Sequence, residues 1–491
     1  MNLRTQARRL WIICIVVVAL GTPGAARTEE VCIRPPAYPG ATAPDDGVWT
    51  TPLPACEAGR TYHFSGEFRR DTWDDRTYPW ISLWGQKFHL NAHCRTGAPQ
   101  TFRIRVTCPE RIADPTFRFG AQPASAGGVP QRFCLGTHGL AAAPTETAPN
   151  AALWTPPPSI AGFFPIGVYG ADPSRLAEVR AIAFNTVILG GEGEPLAKAI
   201  ASARNERLRY VLSTPGDPEH LKVYLDRLDA VPRVRGGGLL GFYVADEPEL
   251  RSVPATRAED VRRLLADRFP GVATAMAIVR PQHARDYLGA ADYFMMDQYP
   301  FPHRPMTWLS DAMDEAAADT GRDRLMSVIQ AFAKGEAWPS LPGWRQMDCL
   351  AFLSIVHGSR GIFFYTWSVM GRTEEGRARL GRVVGRLNRV YPWLLVKNAE
   401  RAVDVEMRSE NRVDPRGRPA VHACVKEREE GLLLIAVNTI GANVSARLKI
   451  GAVGETVEIF SGRVHPVVDG AILADLDAHE TKAFLIKSGR E

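Results

Sequence analysis

Gly241-Phe-Tyr-Val-Ala-Asp-Glu-Pro-Glu249 is the stretch on which the reading of this chain turns. An apolar run over 238–245 stops abruptly at Asp246-Glu247-Pro248. Packing gives no reason to set two adjacent carboxylates at the end of a buried strand. In a barrel of parallel strands, that end is where catalytic side chains sit. The surrounding pattern therefore decides whether Glu247 carries chemistry.

Outward from this stretch, short apolar runs alternate with amphipathic segments, the pattern of βα units and a parallel sheet. The predicted strands are 164–169, 185–190, 209–213, 239–245, 273–279, 293–296, 324–329 and 361–365. Helical periodicity covers 173–183, 195–206, 220–228, 256–268, 308–320, 345–358 and 374–390. A TIM barrel, (β/α)8, typically takes roughly 250 residues, and the span 161–398 fits one. A doubly wound open sheet is disfavoured, because no Gly-x-Gly-x-x-Gly follows the first strand.

The flanks read differently. Residues 27–145 are rich in Pro, Gly, Thr and aromatics, with short alternating runs, and predict a β-domain. Residues 146–160 read as an Ala/Pro/Thr linker, and 399–491 as a C-terminal β-sandwich. The fold class is thus α/β: a barrel flanked by an N-terminal disulfide-containing β-domain and a C-terminal sandwich.

At 491 residues the chain is too long for one ordinary core. An apolar content of 45% and a charged content of 23% read as globular. The net charge of +5 is small, with no basic stripe or motif, so no nucleic-acid partner is expected. Residues 1–26 read as a signal peptide. Arg4, Arg8 and Arg9 precede a short apolar stretch, Leu10 to Leu20, and Gly24-Ala25-Ala26 supplies the cleavage site. A secreted or periplasmic protein follows, with no membrane association after cleavage. Export permits disulfides. Cys94 and Cys108 flank what reads as a turn and a strand and are the expected pair; pairing among Cys32, Cys56 and Cys134 stays open. Cys349 is expected to be a buried thiol. No spacing suggests a metal site, and no cofactor is expected.

The strand alignment gathers polar residues at one mouth. Strand one contributes Tyr169, strand two Glu192 and Glu194, and strand four Asp246, Glu247 and Glu249. Strand five contributes Arg280, and strand six Asp297, Gln298 and Tyr299. Strand seven adds Gln330, with Glu336 and Trp338 in the following loop, and strand eight Tyr365 and Trp367. Carboxylates, amides and aromatics without a phosphate loop suit a hydroxyl-rich ligand. Cleaving a glycosidic bond needs one carboxylic acid at the leaving oxygen and usually a second carboxylate.

On these residues the chain resembles the (β/α)8 glycoside hydrolases of clan A, over roughly 160–491. In that clan an Asn-Glu-Pro or similar tripeptide closes strand four. The resemblance therefore implies that Glu247 is the general acid/base, with its pKa raised by a neighbouring carboxylate and partial burial. Tyr299 and Trp367 match the aromatic places after strands six and eight. One departure stands out: Gln330 occupies the place of the strand-seven nucleophile Glu. Four explanations stay open. Glu336 folds back from its loop; Asp297 partners Glu247; the substrate supplies its own nucleophile; or the site binds sugar without cutting it. Asp297 is favoured, because it is predicted at a strand end, with Asp246 and Glu336 behind it. Tyr169, Tyr299, Gln330, Tyr365 and Trp367 are expected to contact the sugar. The expected function is hydrolysis of an oligo- or polysaccharide, and the alternative is a non-catalytic carbohydrate-binding protein.

Overall fold

The computed structural model describes residues 31–33, 49–52, 56–58, 60–70, 79–84, 86–89, 100–108, 116–121 and 133–142. It then runs from 154 to 487, apart from 233, 235, 252, 336, 337, 452 and 453. The expected signal peptide lies outside the described residues.

The centre is a closed barrel of eight parallel strands. In chain order they are Ile166–Val168, Thr186–Leu189, Arg209–Ser213, Leu239–Asp246, Ala273–Ile278, Tyr293–Asp297, Leu325–Gln330 and Ile362–Tyr365. Strand eight closes on strand one through Phe364 opposite Val168. Strands two, six and seven are buried at every residue, as expected of parallel strands covered on both faces. A 3-10 turn, Pro281–Tyr287, rather than an α-helix, follows strand five.

The period of two sorts the side chains into layers. Tyr293 and Met295 of strand six fill the barrel interior with Met326, Val328 and Phe363. Phe294 and Met296 face the surrounding helices. The same alternation sends Asp297, Gln330 and Tyr365 inward at the carboxyl end. Strand four breaks register between Tyr243 and Ala245, which re-aims its last residues. Gly241 is needed there, because a Cβ would lie 2.9 Å from the Ala273 carbonyl oxygen.

The opposite end is plugged. Residues 154–160, expected to be linker, pack into it. The Trp154 ring lies 5.3 Å from that of Tyr293, and the Ser159 hydroxyl donates to the Leu240 carbonyl at 2.7 Å.

Behind the barrel, a five-stranded and a three-stranded antiparallel sheet form the C-terminal region. The helix Trp344–Val356 is buried from Met347 to Ile355. It shares one apolar cluster with Leu433, Ile435 and Val437 of the larger sheet. Arg386 bridges the two parts, bonding Asp348 at 2.8 Å and the Thr481 carbonyl at 2.7 Å. Cys349 is a buried free thiol, as expected.

The N-terminal region holds two four-stranded antiparallel sheets. Its disulfide joins Cys56 to Cys108, which corrects the expected Cys94–Cys108 pair. Strands Thr61–Arg70 and Gln100–Thr107 run antiparallel with Thr61 opposite Thr107, so the residues just before one and just after the other become neighbours. Cys94 lies outside the described residues. Backbone register sets Cys32 opposite Cys134.

Candidate active site

Glu247 follows the last residue of strand four. Its N–H continues the ladder to the Ala277 carbonyl at 3.2 Å, and its backbone then turns into the left-handed region with φ of +49°. Its side chain is half-buried. Asp297 ends strand six and is 8% exposed, with Oδ1 buried and without a hydrogen-bond partner. The two carboxyls are hydrogen-bonding neighbours, with the Tyr299 hydroxyl beside Asp297. The structure thus brings together three of the residues singled out in the sequence.

Burial raises the proton affinity of both acids. For Asp297 burial acts first and the Glu247 charge second, holding it well above the carboxylate range. For Glu247 burial is followed by the charges of Asp246 and Glu249. Two carboxyls in contact cannot both ionise cheaply, so the pair shares a proton. The raised proton affinity belongs to the pair, with Asp297 the deeper member, whereas the sequence reading placed the raised pKa on Glu247.

Asp297, the second carboxylate favoured in the sequence, is the acid beside Glu247 at the mouth of the barrel. Glu336 lies outside the described residues.

Asp246 stands at the rim. It accepts from the Tyr243 hydroxyl at 2.7 Å and pairs with Arg251. Glu249 turns inward instead, and its Oε1 accepts from the Val279 N–H at 2.7 Å and the Arg280 N–H at 3.0 Å. Glu192 pairs with Arg227 and His220, and Glu194 with Lys198.

An aromatic cluster lines the other side of the mouth. Tyr365 is 41% exposed. Its ring stacks on Tyr299 at 6.1 Å and meets Tyr169 at 5.6 Å and Phe332 at 5.5 Å edge-on. Trp338 packs on Phe332 at 5.3 Å and donates its indole N–H to the Tyr299 carbonyl at 3.2 Å. Phe332 was not singled out from the sequence. It lies two residues past Gln330, the last residue of strand seven, so continuing the strand's alternation was the signal.

Two expected sugar contacts are committed elsewhere. Gln330 is fully buried. Its Oε1 accepts from the Phe301 N–H at 3.1 Å, and its Nε2 donates to the Phe301 carbonyl at 2.9 Å. The amide is a brace for the strand-six loop. Trp367 is 1% exposed. Gly371 lies against its ring, where a Cβ would come within 2.3 Å, and the Arg175 guanidinium sits 5.8 Å from the centroid. The exposed ring at the end of strand eight is Tyr365.

Among the described residues, no group of His, Cys, Asp and Glu is arranged to hold a metal ion. No described helix is long and apolar enough to cross a membrane.

No family model matches the chain, and no curated protein matches it. Solved structures align with it distantly. An α-amylase from Geobacillus thermoleovorans, complexed with acarbose, aligns with a TM-score of 0.46 and 9% identity, over 65% of this chain and 91% of that one. A family-30 endoxylanase from Clostridium papyrosolvens gives 0.43 and 12%, over 66% and 96%. An α-galactosidase I from Mortierella vinacea gives 0.44 and 8%, over 67% and 98%. Likeness at this level carries no assignment of chemistry.

Proposed function

We propose that this chain is a glycoside hydrolase acting on an oligo- or polysaccharide. The observation that carries the reading is the proton-sharing Glu247–Asp297 pair at the carboxyl mouth of the barrel, facing the exposed Tyr365 ring. A carboxylic acid whose proton affinity is raised by burial is what the leaving oxygen of a glycoside needs. Glu247, the more accessible member, gives the shared proton to the leaving oxygen as the anomeric C–O bond breaks. Water adds to the anomeric carbon, and the proton it loses restores the Glu247–Asp297 pair. Tyr365 offers a flat face for the apolar side of a sugar ring, and Tyr299 and Tyr169 fix its tilt.

Gln330 favours a second reading, a barrel that binds sugar without cutting it, because the strand-seven amide is tied to Phe301 and supplies no nucleophile. One experiment separates the two. Purified protein is incubated with a broad panel of glycans, and reducing ends and binding are both measured. The hydrolase reading expects cleavage of at least one glycan, abolished in Glu247→Gln and Asp297→Asn with binding retained. Binding without cleavage by the wild type supports the second reading and overturns the first.

A further inference from the structure

The turn after strand four is clamped from two sides. Residues with a Cβ rarely adopt the backbone of Glu247, at φ +49°, so something must hold it there. On the rim side, Asp246 pairs with Arg251. The Arg251 N–H donates to the Glu247 carbonyl at 3.3 Å, and the Leu250 N–H to the same oxygen at 3.1 Å. On the inner side, Glu249 crosses to the loop after strand five, where its carboxylate grips two successive backbone N–H groups, Val279 and Arg280. Its Oε2 is buried without a hydrogen-bond partner. Spending a carboxylate in a covered position on backbone donors is costly unless it fixes geometry that matters.

We propose that Glu249, seconded by Arg251, is a positioning residue that holds Glu247 in its left-handed conformation against Asp297. Glu249 touches no substrate in this scheme; it ties the fourth βα loop to the fifth, so that Glu247 meets a fixed partner. The proposal rests on the reading of Glu247 as the acid.

The test uses Glu249→Ala, Glu249→Gln and Arg251→Met in the full chain, with two readouts. One is kcat and KM on a glycan that the wild type cleaves. The other is infrared titration of the Glu247–Asp297 carboxyls, assigned by difference against Glu247→Gln and Asp297→Asn, which needs no substrate. Glu249→Ala is expected to lower kcat about 100-fold, the cost of a misplaced reacting group, with KM little changed. The coupled titration should resolve into two independent carboxyls. Glu249→Gln, whose amide oxygen still accepts both N–H groups, should restore kcat and the coupling. Arg251→Met should lower kcat about tenfold by loosening one clamp.

A merely structural Glu249 would lower the unfolding temperature and move the Glu247 titration to lower pH through its lost charge, equally in Glu249→Ala and Glu249→Gln, while leaving kcat per folded molecule and the coupling of the two carboxyls unchanged; that result overturns the proposal. If Glu249→Ala does not fold, Arg251→Met on the exposed rim carries the same test; its lost charge alone moves the Glu247 titration to higher pH, and unchanged kcat with the coupling of the two carboxyls intact overturns the proposal. Absence of turnover in the wild type strikes the hydrolase reading alone, because the titration still reports whether Glu249 sets the geometry.

Discussion

Acidification should loosen the joint between the barrel and the C-terminal sheet through one histidine. His422 lies on the strand Val421–Arg428, with its Nδ1 2.9 Å from Nε2 of His357. His357 Nδ1 is 3.0 Å from Asp314 Oδ1, and Arg322 reaches the same oxygen at 2.8 Å. Burial, then the facing His357, push His422 down to about 4, with Asp311 and Asp314 opposing only in part. Protonating His422 places a charge in a buried position beside a second imidazole. The folded pKa lies below the unfolded one, about 6.5. The unfolded chain therefore binds more protons in between, so the contribution is complete above about pH 6.5 and is lost as pH falls towards 4. Over that window the loss approaches about 3 kcal/mol, and at pH 4.5 it is about 2 kcal/mol.

Asp348, raised to about 6 by burial, works in the opposite sense over an overlapping window, so the wild type alone is not the test. His422→Asn keeps an acceptor for His357 and cannot titrate. Urea unfolding of both proteins at pH 7 and pH 4.5, followed by fluorescence, isolates the term. The stability difference between wild type and variant should shift by about 2 kcal/mol against the wild type at the lower pH. Equal shifts in the two proteins would refute the reasoning.

Three further outcomes follow from the site and the chain's beginning. Tyr365→Ala should raise KM about fivefold with the unfolding temperature little changed, because an exposed stacking ring is lost; Trp367→Ala should instead cost roughly 3–5 kcal/mol of stability, since that ring is core, and calorimetry beside kinetics separates the two. Asp246→Asn removes a charge that raises the proton affinity of Glu247. A raised acid works below its pKa and fails above it, so the alkaline limb of kcat/KM should move to lower pH, and a limb that stays in place counts against Glu247 as the acid. We propose that the chain is exported, which predicts a mature chain beginning at Arg27 with Cys56 and Cys108 oxidised; peptide mapping of protein from the outer compartment checks both, and an intact Met1 start in the soluble cell interior would contradict it.

The eight strands were legible because parallel strands covered on both faces leave uninterrupted apolar runs. Asp297 was legible for a related reason: after Tyr293-Phe-Met-Met, alternation alone sends the next residue inward. What local pattern did not carry were commitments made over long distances. The Gln330 amide is consumed by the Phe301 backbone, 29 positions earlier. Trp367 is covered by Arg175, from the first βα unit. The disulfide follows strand pairing between Thr61 and Thr107 rather than the nearby turn. Contact between Glu247 and Asp297 depends on a left-handed backbone at a non-glycine residue, which propensity disfavours. Glu249 and Arg251, which surround that turn, carry no motif of their own.

Hydrolysis in water enriched in heavy oxygen distinguishes water attack at the anomeric carbon from every other route to shorter fragments. The wild type is incubated with the glycan it releases reducing ends from, and the products are weighed by mass spectrometry. Acid-assisted hydrolysis at Glu247 should put one heavy oxygen at the new reducing end, none on the other fragment, and give no product with Glu247→Gln. Products lacking the heavy oxygen, an unsaturated fragment, or no cleavage of any glycan by the wild type would contradict it.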